Sequence, residues 1–454
     1  MSLNEGILDV TNKFTRLGFE ITNNCNKNCK NCNLLIIVVD ALRYDHLGCY
    51  GYEKNTSPNI DELCKNSIIF ENAIAQSTWT KPSIISLFTS KYVKFHNITK
   101  FTTNYSLGGV DNVLPSNSLT LAEVLSSNNY KTKGLVSIIA FISPGFGIEQ
   151  GFDNYTLLTR GDIEDSEVTS NAIDWLDKLD YNEKFFMYLH YSSTHAPYTP
   201  PINYKVKFKP EYSGKINFSD KHQDDLNAIN LTKEDREELI ARYDGEINSA
   251  DYNIGNLLQY LKKKNLINKT IIVITADHGE GLGENNSLIG HGHMIEKVIH
   301  VPLIVFHPKI QSGRINITHI TELIDIAPTL LSMLDLDIPE KFQGANLLND
   351  KKFKEFGISE LFREDTAIIG IRTQQYLFIS FNFTPYSFYN RYSLYNIKND
   401  PYLQEDISHK EPEILTDFIE KLTNYIKIEN KEELDSGVLS KDLEERLKSL
   451  GYIQ

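Results

Sequence analysis

The sequence predicts an α/β fold, a largely parallel central sheet with helices on both faces, followed by a small α+β part at the carboxyl end. Three observations carry this. Fully apolar runs of strand length, LLIIVVD, KFFMYLH and TIIVITAD, must be buried on both faces. Between them lie helical patterns such as SLTLAEVLSSNNY (residues 118–130) and ARYDGEINSADYNIGNLLQYLKKK (residues 241–264). Beyond Gly344 the order changes to short aromatic strands, AIIGIRTQQYLFISF and RYSLYNI, and then a helix from Glu411 to about Ile426. Strands alternating with helices imply crossover connections and parallel neighbours, whereas strands first and a helix after imply α+β.

These patterns divide the chain into a Cys-rich segment (1–33), the α/β body (34–343) and the α+β subdomain with a helical tail (344–454). The composition, 41% hydrophobic and 23% charged, is that of a globular protein with material for one large core and a smaller one. A net charge of -14 argues against nucleic acid or an anionic membrane as partner. No run approaches the roughly 20 apolar residues of a membrane span. The first twenty residues lack the apolar core of a signal peptide, so the chain reads as cytosolic. The Cys count is 5, and Cys25, Cys29 and Cys32 crowd together, which argues against a secreted disulfide framework.

The chemistry concentrates at strand ends. LLIIVVD finishes at Asp40 and TIIVITAD at Asp277, followed by His278 and the turn GEGLGE. Ligands of open α/β sheets bind at the carboxyl ends of strands, and two carboxylates with an imidazole suit a divalent cation. In STWTKPSIISLFTS, Pro82 reads as the first residue of a helix, with Lys81 and Thr80 at its entrance. A Thr80 hydroxyl there, if also a metal ligand, can ionise and attack phosphorus or sulfur. The bland alternative is that each Asp and Thr80 merely caps a helix. Trp79 reads as packing. KFFMYLH ends at His190, and the loop after it presents His195, positioned to protonate a leaving oxygen. GHGHMIEKVIHVPLIV sets His291 and His293 on one loop before another buried strand.

Taken together, these segments resemble the sulfatase family of the alkaline phosphatase superfamily. DALRYDHLGCYGY, STWTKPSIISLFTS, HAPY, TADHGEGLGE, HVPLIV, LIDIAPTLL and LYNIKNDPYLQEDISHKEPEI stand in the family's order from Leu34 nearly to the end. The resemblance implies an alkaline-phosphatase-like fold and metal-dependent cleavage of a sulfate or phosphate ester. It implies Asp40, Asp277 and His278 as metal ligands, Thr80 at the nucleophile position and His195 against the substrate. His291 falls where many relatives have a Lys that binds the anion, and His293 and Lys81 are further candidates for that contact.

Three departures bear on the substrate. Thr80 replaces the Cys or Ser that sulfatases convert to formylglycine, Ile84 replaces the motif's Arg, and Ala41 replaces the second Asp of an Asp-Asp pair. Losing one hard oxygen weakens the case for calcium beside manganese, magnesium or zinc. A Thr alkoxide suits in-line attack on phosphorus, as in related phosphotransferases, so a phosphate ester or diester is favoured over sulfate. The partner expected is a small-molecule, glycan or lipid-headgroup anionic ester. The competing readings are an inactive metal-retaining binding protein and an iron–sulfur protein.

The last reading rests on EITNNCNKNCKNC, which resembles the cluster loop of radical S-adenosylmethionine enzymes. There, three Cys hold a four-iron four-sulfur cluster. The strand at Leu34 follows two residues after Cys32, leaving no room for a cofactor-binding barrel. Cys25, Cys29 and Cys32 therefore read as a solvent-exposed remnant, with an iron–sulfur or zinc site as the alternative, and deletion through Asn31 is expected to be neutral.

Overall fold

The computed structural model describes residues 29–99, 113–137, 142–158, 165–180, 182–209, 211–221, 223–310, 313–348, 353–363, 366–381 and 391–429. Cys25 and the tail beyond residue 429 lie outside them.

The apolar runs form the middle of an eight-stranded sheet. All seven residues of β1 (Asn33–Val39) are buried, which a strand covered on both faces requires. With β2 (Ser67–Ile74), β3 (Tyr130–Val136), β4 (Asn154–Leu157), β5 (Lys184–Tyr191) and β6 (Thr270–Thr275), β1 shares one sheet. Two short strands, β7 (Gly281–Leu282) and β8 (Ile289–Gly290), pair with each other just beyond it. The sheet is completed by β9 (His300–Phe306) and β10 (Ile315–Glu322), in the order β10-β2-β9-β6-β1-β5-β3-β4. Every pairing is parallel except the two made by β9, which runs against both β6 and β2.

Helices cover the sheet, and their caps explain where they start. The longest spans Lys233–Lys263, beginning before the expected Ala241 because Thr232 and Asp235 form a capping box that satisfies its first N–H groups. Thr120 and Glu123 do the same for Leu121–Ser127. Among the described residues no helix is long and apolar enough to cross a membrane.

The carboxyl part is a second, antiparallel sheet of β11 (Gly357–Arg363), β12 (Thr366–Arg372), β13 (Tyr376–Phe381) and β14 (Arg391–Asn396) in chain order. The helix Pro412–Lys427 packs Phe418, Leu422 and Tyr425 against it, with the Phe418 and Phe378 rings stacked at 5.5 Å. Trp79 packs with Leu361, Leu377 and Ile379 where this sheet meets the main body.

One expectation is corrected at the amino end. Cys29 and Cys32 are not exposed; they are 2% and 3% accessible and belong to the main core. Their turn leads straight into β1, so the strand's core extends back over them.

Candidate active site

The carboxyl ends of β1, β5 and β6 converge because these strands are parallel neighbours. Asp40 follows β1 directly, and its N–H continues the ladder to the Tyr191 carbonyl at 2.9 Å. Asp277 stands just past β6. His190, one residue before the end of β5, pairs with Val38 and so faces Asp40 across the ladder. Nε2 of His190 lies 3.3 Å from Asp40 Oδ2, and ligand atoms of Asp40, His190 and Asp277 all lie within 4.8 Å of one another. The position of His190 is visible in the sequence as a strand end; its partnership with Asp40 depends on which strands are neighbours, which the sequence does not display.

Thr80 reaches this cluster from a helix that spans Thr80–Thr89. The helix starts at Thr80 with Trp79 as its cap, two residues earlier than Pro82 suggests. Pro82 is third in the helix, where its missing N–H still costs nothing because the first four lack intrahelical acceptors. Thr80 Oγ1 stands 3.4 Å from Asp40 Oδ2 and 3.4 Å from His278 Nε2.

The surrounding backbone is held in place rather than relaxed. Ala41 adopts φ 55°, a left-handed conformation that costs a β-carbon residue roughly 1–2 kcal/mol. Its N–H donates to Asp277 Oδ1 at 3.1 Å and its carbonyl accepts the Tyr243 hydroxyl at 2.7 Å, which fixes that conformation. Gly279 allows the chain to pass against Lys297, whose carbonyl oxygen would lie 2.1 Å from a β-carbon there. The Thr194 hydroxyl bonds the Asp40 carbonyl and anchors the His195 loop.

The electrostatics fit a cation. Asp40, Asp277 and His278 are completely buried. Burial would raise Asp40, but the His190 hydrogen bond and neighbouring imidazoles hold it well below the usual carboxylate range. Asp277 is pushed up to about 7 by burial and by the Asp40 charge. Among the described residues nothing donates a hydrogen bond to Asp40 Oδ1 or Asp277 Oδ2, a costly state for buried carboxylate oxygens. His278 is lowered to about 4 by burial and by His291, so it is neutral. Its Nδ1–H donates to the Gly279 carbonyl at 2.8 Å, which leaves the Nε2 lone pair aimed at the carboxylates, 3.4 Å from Asp277 Oδ2. On the far side of His190, Nδ1 meets the Tyr188 hydroxyl at 2.7 Å. Two carboxylates and two oriented imidazoles thus form a donor set suited to a divalent metal.

Two half-buried imidazoles lie beside the cluster. The His291 ring lies 4.4 Å from that of His278 and 5.0 Å from that of His195. Burial lowers His291, yet Glu280, 3.7 Å away, holds it above its usual value. Glu280 is fully buried and escaped the sequence reading; its signal was an acid inside an apolar, Gly-rich turn. His195 is half-buried, with Nδ1 2.7 Å from the Ala196 carbonyl. His293 is half-buried two residues further along the His291 loop, its carbonyl accepting the Ile295 N–H. Lys81 is buried with Nζ 3.7 Å from the centre of the Phe146 ring, and burial pulls it well below the usual lysine range.

The sulfatase family profile matches residues 32–336, more than half of the chain. The chain belongs to the sulfatase family. A second profile, the carboxyl-terminal part of N-sulphoglucosamine sulphohydrolase, matches residues 286–431 of this sulfatase-family protein. Human iduronate 2-sulfatase is 23% identical over 421 residues, covering 71% of this chain and 74% of that protein. An ulvan-active sulfatase of Formosa agariphila is 25% identical over 463 residues, covering 93% of this chain and 84% of that one. The fold is shared with the phosphonate monoester hydrolase of Agrobacterium radiobacter (TM-score 0.72, 18% identity, 87% of this chain and 95% of that one). It is shared equally with a protein solved with its substrate D-glucosamine-2-N,6-O-disulfate (TM-score 0.72, 19% identity, 89% of this chain and 100% of that one). This sulfatase-family chain is therefore an ester hydrolase with the alkaline-phosphatase-like architecture.

Proposed function

We propose that this enzyme cleaves a phosphate ester or diester, with Thr80 as nucleophile and one divalent cation held by Asp40, Asp277, His278 and His190. The observation that carries the reading is the Thr80 hydroxyl, 3.4 Å from both Asp40 and His278 inside a fully buried cluster at a helix entrance. A divalent cation bound there supplies Lewis-acid charge that stabilises both carboxylates and favours the ionised hydroxyl.

The chain's own residues do the rest. The unpaired N–H groups of the first helical turn favour the ester's non-bridging oxygens. His291, whose proton affinity Glu280 raises, stands in for the cation that Ile84 cannot supply. His195 gives its Nε2 proton to the leaving oxygen while its Nδ1–H stays on the Ala196 carbonyl. Phosphorus is preferred because a threonine alkoxide attacks it in line and leaves a phosphothreonine that water can open. Formylglycine hydrate has a second hydroxyl with which to expel sulfate, and Thr80 has none. A sulfate ester on a glycan is the second reading, favoured by what the curated relatives are named for.

Turnover of nitrophenyl phosphate, bis(nitrophenyl) phosphate and nitrophenyl sulfate with added manganese decides between them. We expect a phosphate substrate to be fastest and a phosphoryl group to be found on the peptide containing Thr80. Faster sulfate turnover, with no phosphopeptide, would make the second reading the correct one.

A further inference from the structure

At the far end of β1 from Asp40, a second cluster of reactive side chains lies outside everything derived above. Because β9 runs antiparallel, its last residue, Phe306, pairs with Ile272 near the start of β6. That brings His307 to the edge of the sheet where the chain enters β1. There His307 Nε2 lies 2.9 Å from Cys29 Sγ, across 278 positions of sequence, and Cys29 Sγ lies 2.8 Å from Cys32 Sγ. We propose that Cys29, Cys32 and His307 form a redox-active dithiol site that exchanges with small-molecule disulfides.

Geometry selects this chemistry over metal binding. The Cys32 N–H donates to the Cys29 carbonyl at 2.8 Å, so Cys29–Cys32 is a tight turn with its ends within roughly 7 Å, the span a disulfide needs. The Tyr130 hydroxyl donates to the Cys32 carbonyl at 3.0 Å and fixes that turn. On the imidazole, Nδ1 accepts the Lys309 backbone N–H at 3.2 Å. A neutral ring with Nδ1 as acceptor carries its proton on Nε2. Nε2 therefore donates to Cys29 sulfur instead of offering the lone pair a metal ion requires. Either thiol can donate in the 2.8 Å contact between the sulfurs, and the Cys29 hydrogen bond, with Lys309, holds the Cys32 thiol below its usual range against burial. The buried pair Cys49 and Cys64 is a contrast: the Cys49 contact and burial push Cys64 far up, which keeps it a thiol.

The reaction balances. Cys32 thiolate attacks one sulfur of a small disulfide, the S–S bond breaks, and one thiolate leaves and takes up a proton. Cys29 then gives its proton to solvent and attacks Cys32 sulfur, releasing the second thiolate. The dithiol is oxidised by two electrons and the small disulfide is reduced to two thiols. Burial of both sulfurs restricts the partner to a small disulfide, for which oxidised glutathione is the probe.

The full chain is equilibrated in glutathione buffers of varied ratio, alkylated and digested with trypsin, which cuts after Lys30 between the two cysteines. A Cys29–Cys32 disulfide holds residues 28–30 and 31–43 together, whereas the dithiol gives two alkylated peptides. We expect the linked pair under oxidising ratios, its reversal under reducing ones, and no link between Cys49 and Cys64. His307→Leu should slow the linkage about tenfold, while His307→Gln, whose amide N–H takes the place of Nε2–H, should keep most of the rate. Cys29→Ser should stop the reaction with glutathione attached at Cys32. Two alkylated peptides at every ratio would overturn the proposal, as would a His307→Leu protein that oxidises at the wild-type rate. So would one equivalent of zinc that shields both thiols until a chelator removes it.

Discussion

Burial and the Asp40 charge push the Asp277 carboxyl up to about 7, so near neutral pH the metal-free cluster gains by keeping a proton. A carboxyl whose folded value lies above its unfolded one stabilises the fold below the unfolded value, near 4, and loses that contribution as pH rises through about 7. Asp165 and Asp251, raised to about 6 by burial, and Glu360, raised to about 7, act in the same direction. The Asp277→Asn variant isolates one part of this. Metal-free wild type should lose more melting temperature between about pH 5 and about pH 7.5 than the variant does. Added manganese should raise the wild-type melting temperature most at the higher pH, and the variant should retain little metal by elemental analysis. Equal metal in both proteins would dismiss Asp277 as a ligand. For the nucleophile, Thr80→Ala should lose at least about a thousandfold in turnover, and Thr80→Ser should keep measurable activity because the alkoxide survives. A Thr80→Ala enzyme with normal turnover would leave water as the attacker. Asp40, Asp277 and Thr80 could be picked out as candidates in the sequence because a strand-length apolar run ending in acid, or a Thr two residues before a Pro in a helix's first turn, is local information. His190 and Glu280 were not, since each gains its meaning from a partner brought close only by strand order and loop packing.

At the scale of single elements, the turn that enters β1 separates what apolar patterning reveals from what it hides. The run LLIIVVD announces a buried strand, but nothing local says that Cys29 and Cys32 share its core. Nor does HVPLIVF disclose that β9 runs against its neighbours, because a run buried on both faces reads the same in either direction. That reversal is what carries His307 to Cys29. The expectation that deletion through Asn31 is neutral therefore changes. Such a deletion removes the 2%-accessible Cys29 and the turn bond to Cys32, and it should destabilise the fold by about 1–3 kcal/mol. A deletion through residue 28 spares both. Comparing the denaturant midpoints of the two truncations checks this; identical midpoints would return the segment to the status of a dispensable remnant. Helix starts follow the same division. The capping box at Thr232 could have been read locally, whereas the helix at Thr80 starts from Trp79 with no side-chain cap to mark it.

Across the whole molecule, the two sheets are joined by a buried charge cluster that links the small sheet to the loop bearing His291. Arg372, the last residue of β12, donates Nη2 to Glu296 Oε1 at 2.8 Å and Nε to Glu296 Oε2 at 3.2 Å. His300 Nδ1 lies 2.9 Å from the same Oε1, and Arg372 Nη1 reaches Asn72 Oδ1 on β2 at 2.7 Å. Burial would raise Glu296, but Arg372 and His300 hold it well below the carboxylate range, so it remains charged in the interior. Composition marks where the third zone starts, yet pairing Arg372 with Glu296 across 76 positions is beyond any periodicity. Removing one partner of such a pair leaves the other charge buried without compensation, which costs about 3–5 kcal/mol. Arg372→Ala should therefore lower stability by that order. The double change Arg372→Met with Glu296→Gln should recover much of the loss, because no uncompensated charge remains. Glu296 lies five residues beyond His291, so the single variant should also raise KM more than it lowers kcat, by loosening the loop we propose to meet the substrate anion. A stability loss with KM unchanged would confine Arg372 to holding the sheets together and would separate the small sheet from substrate binding.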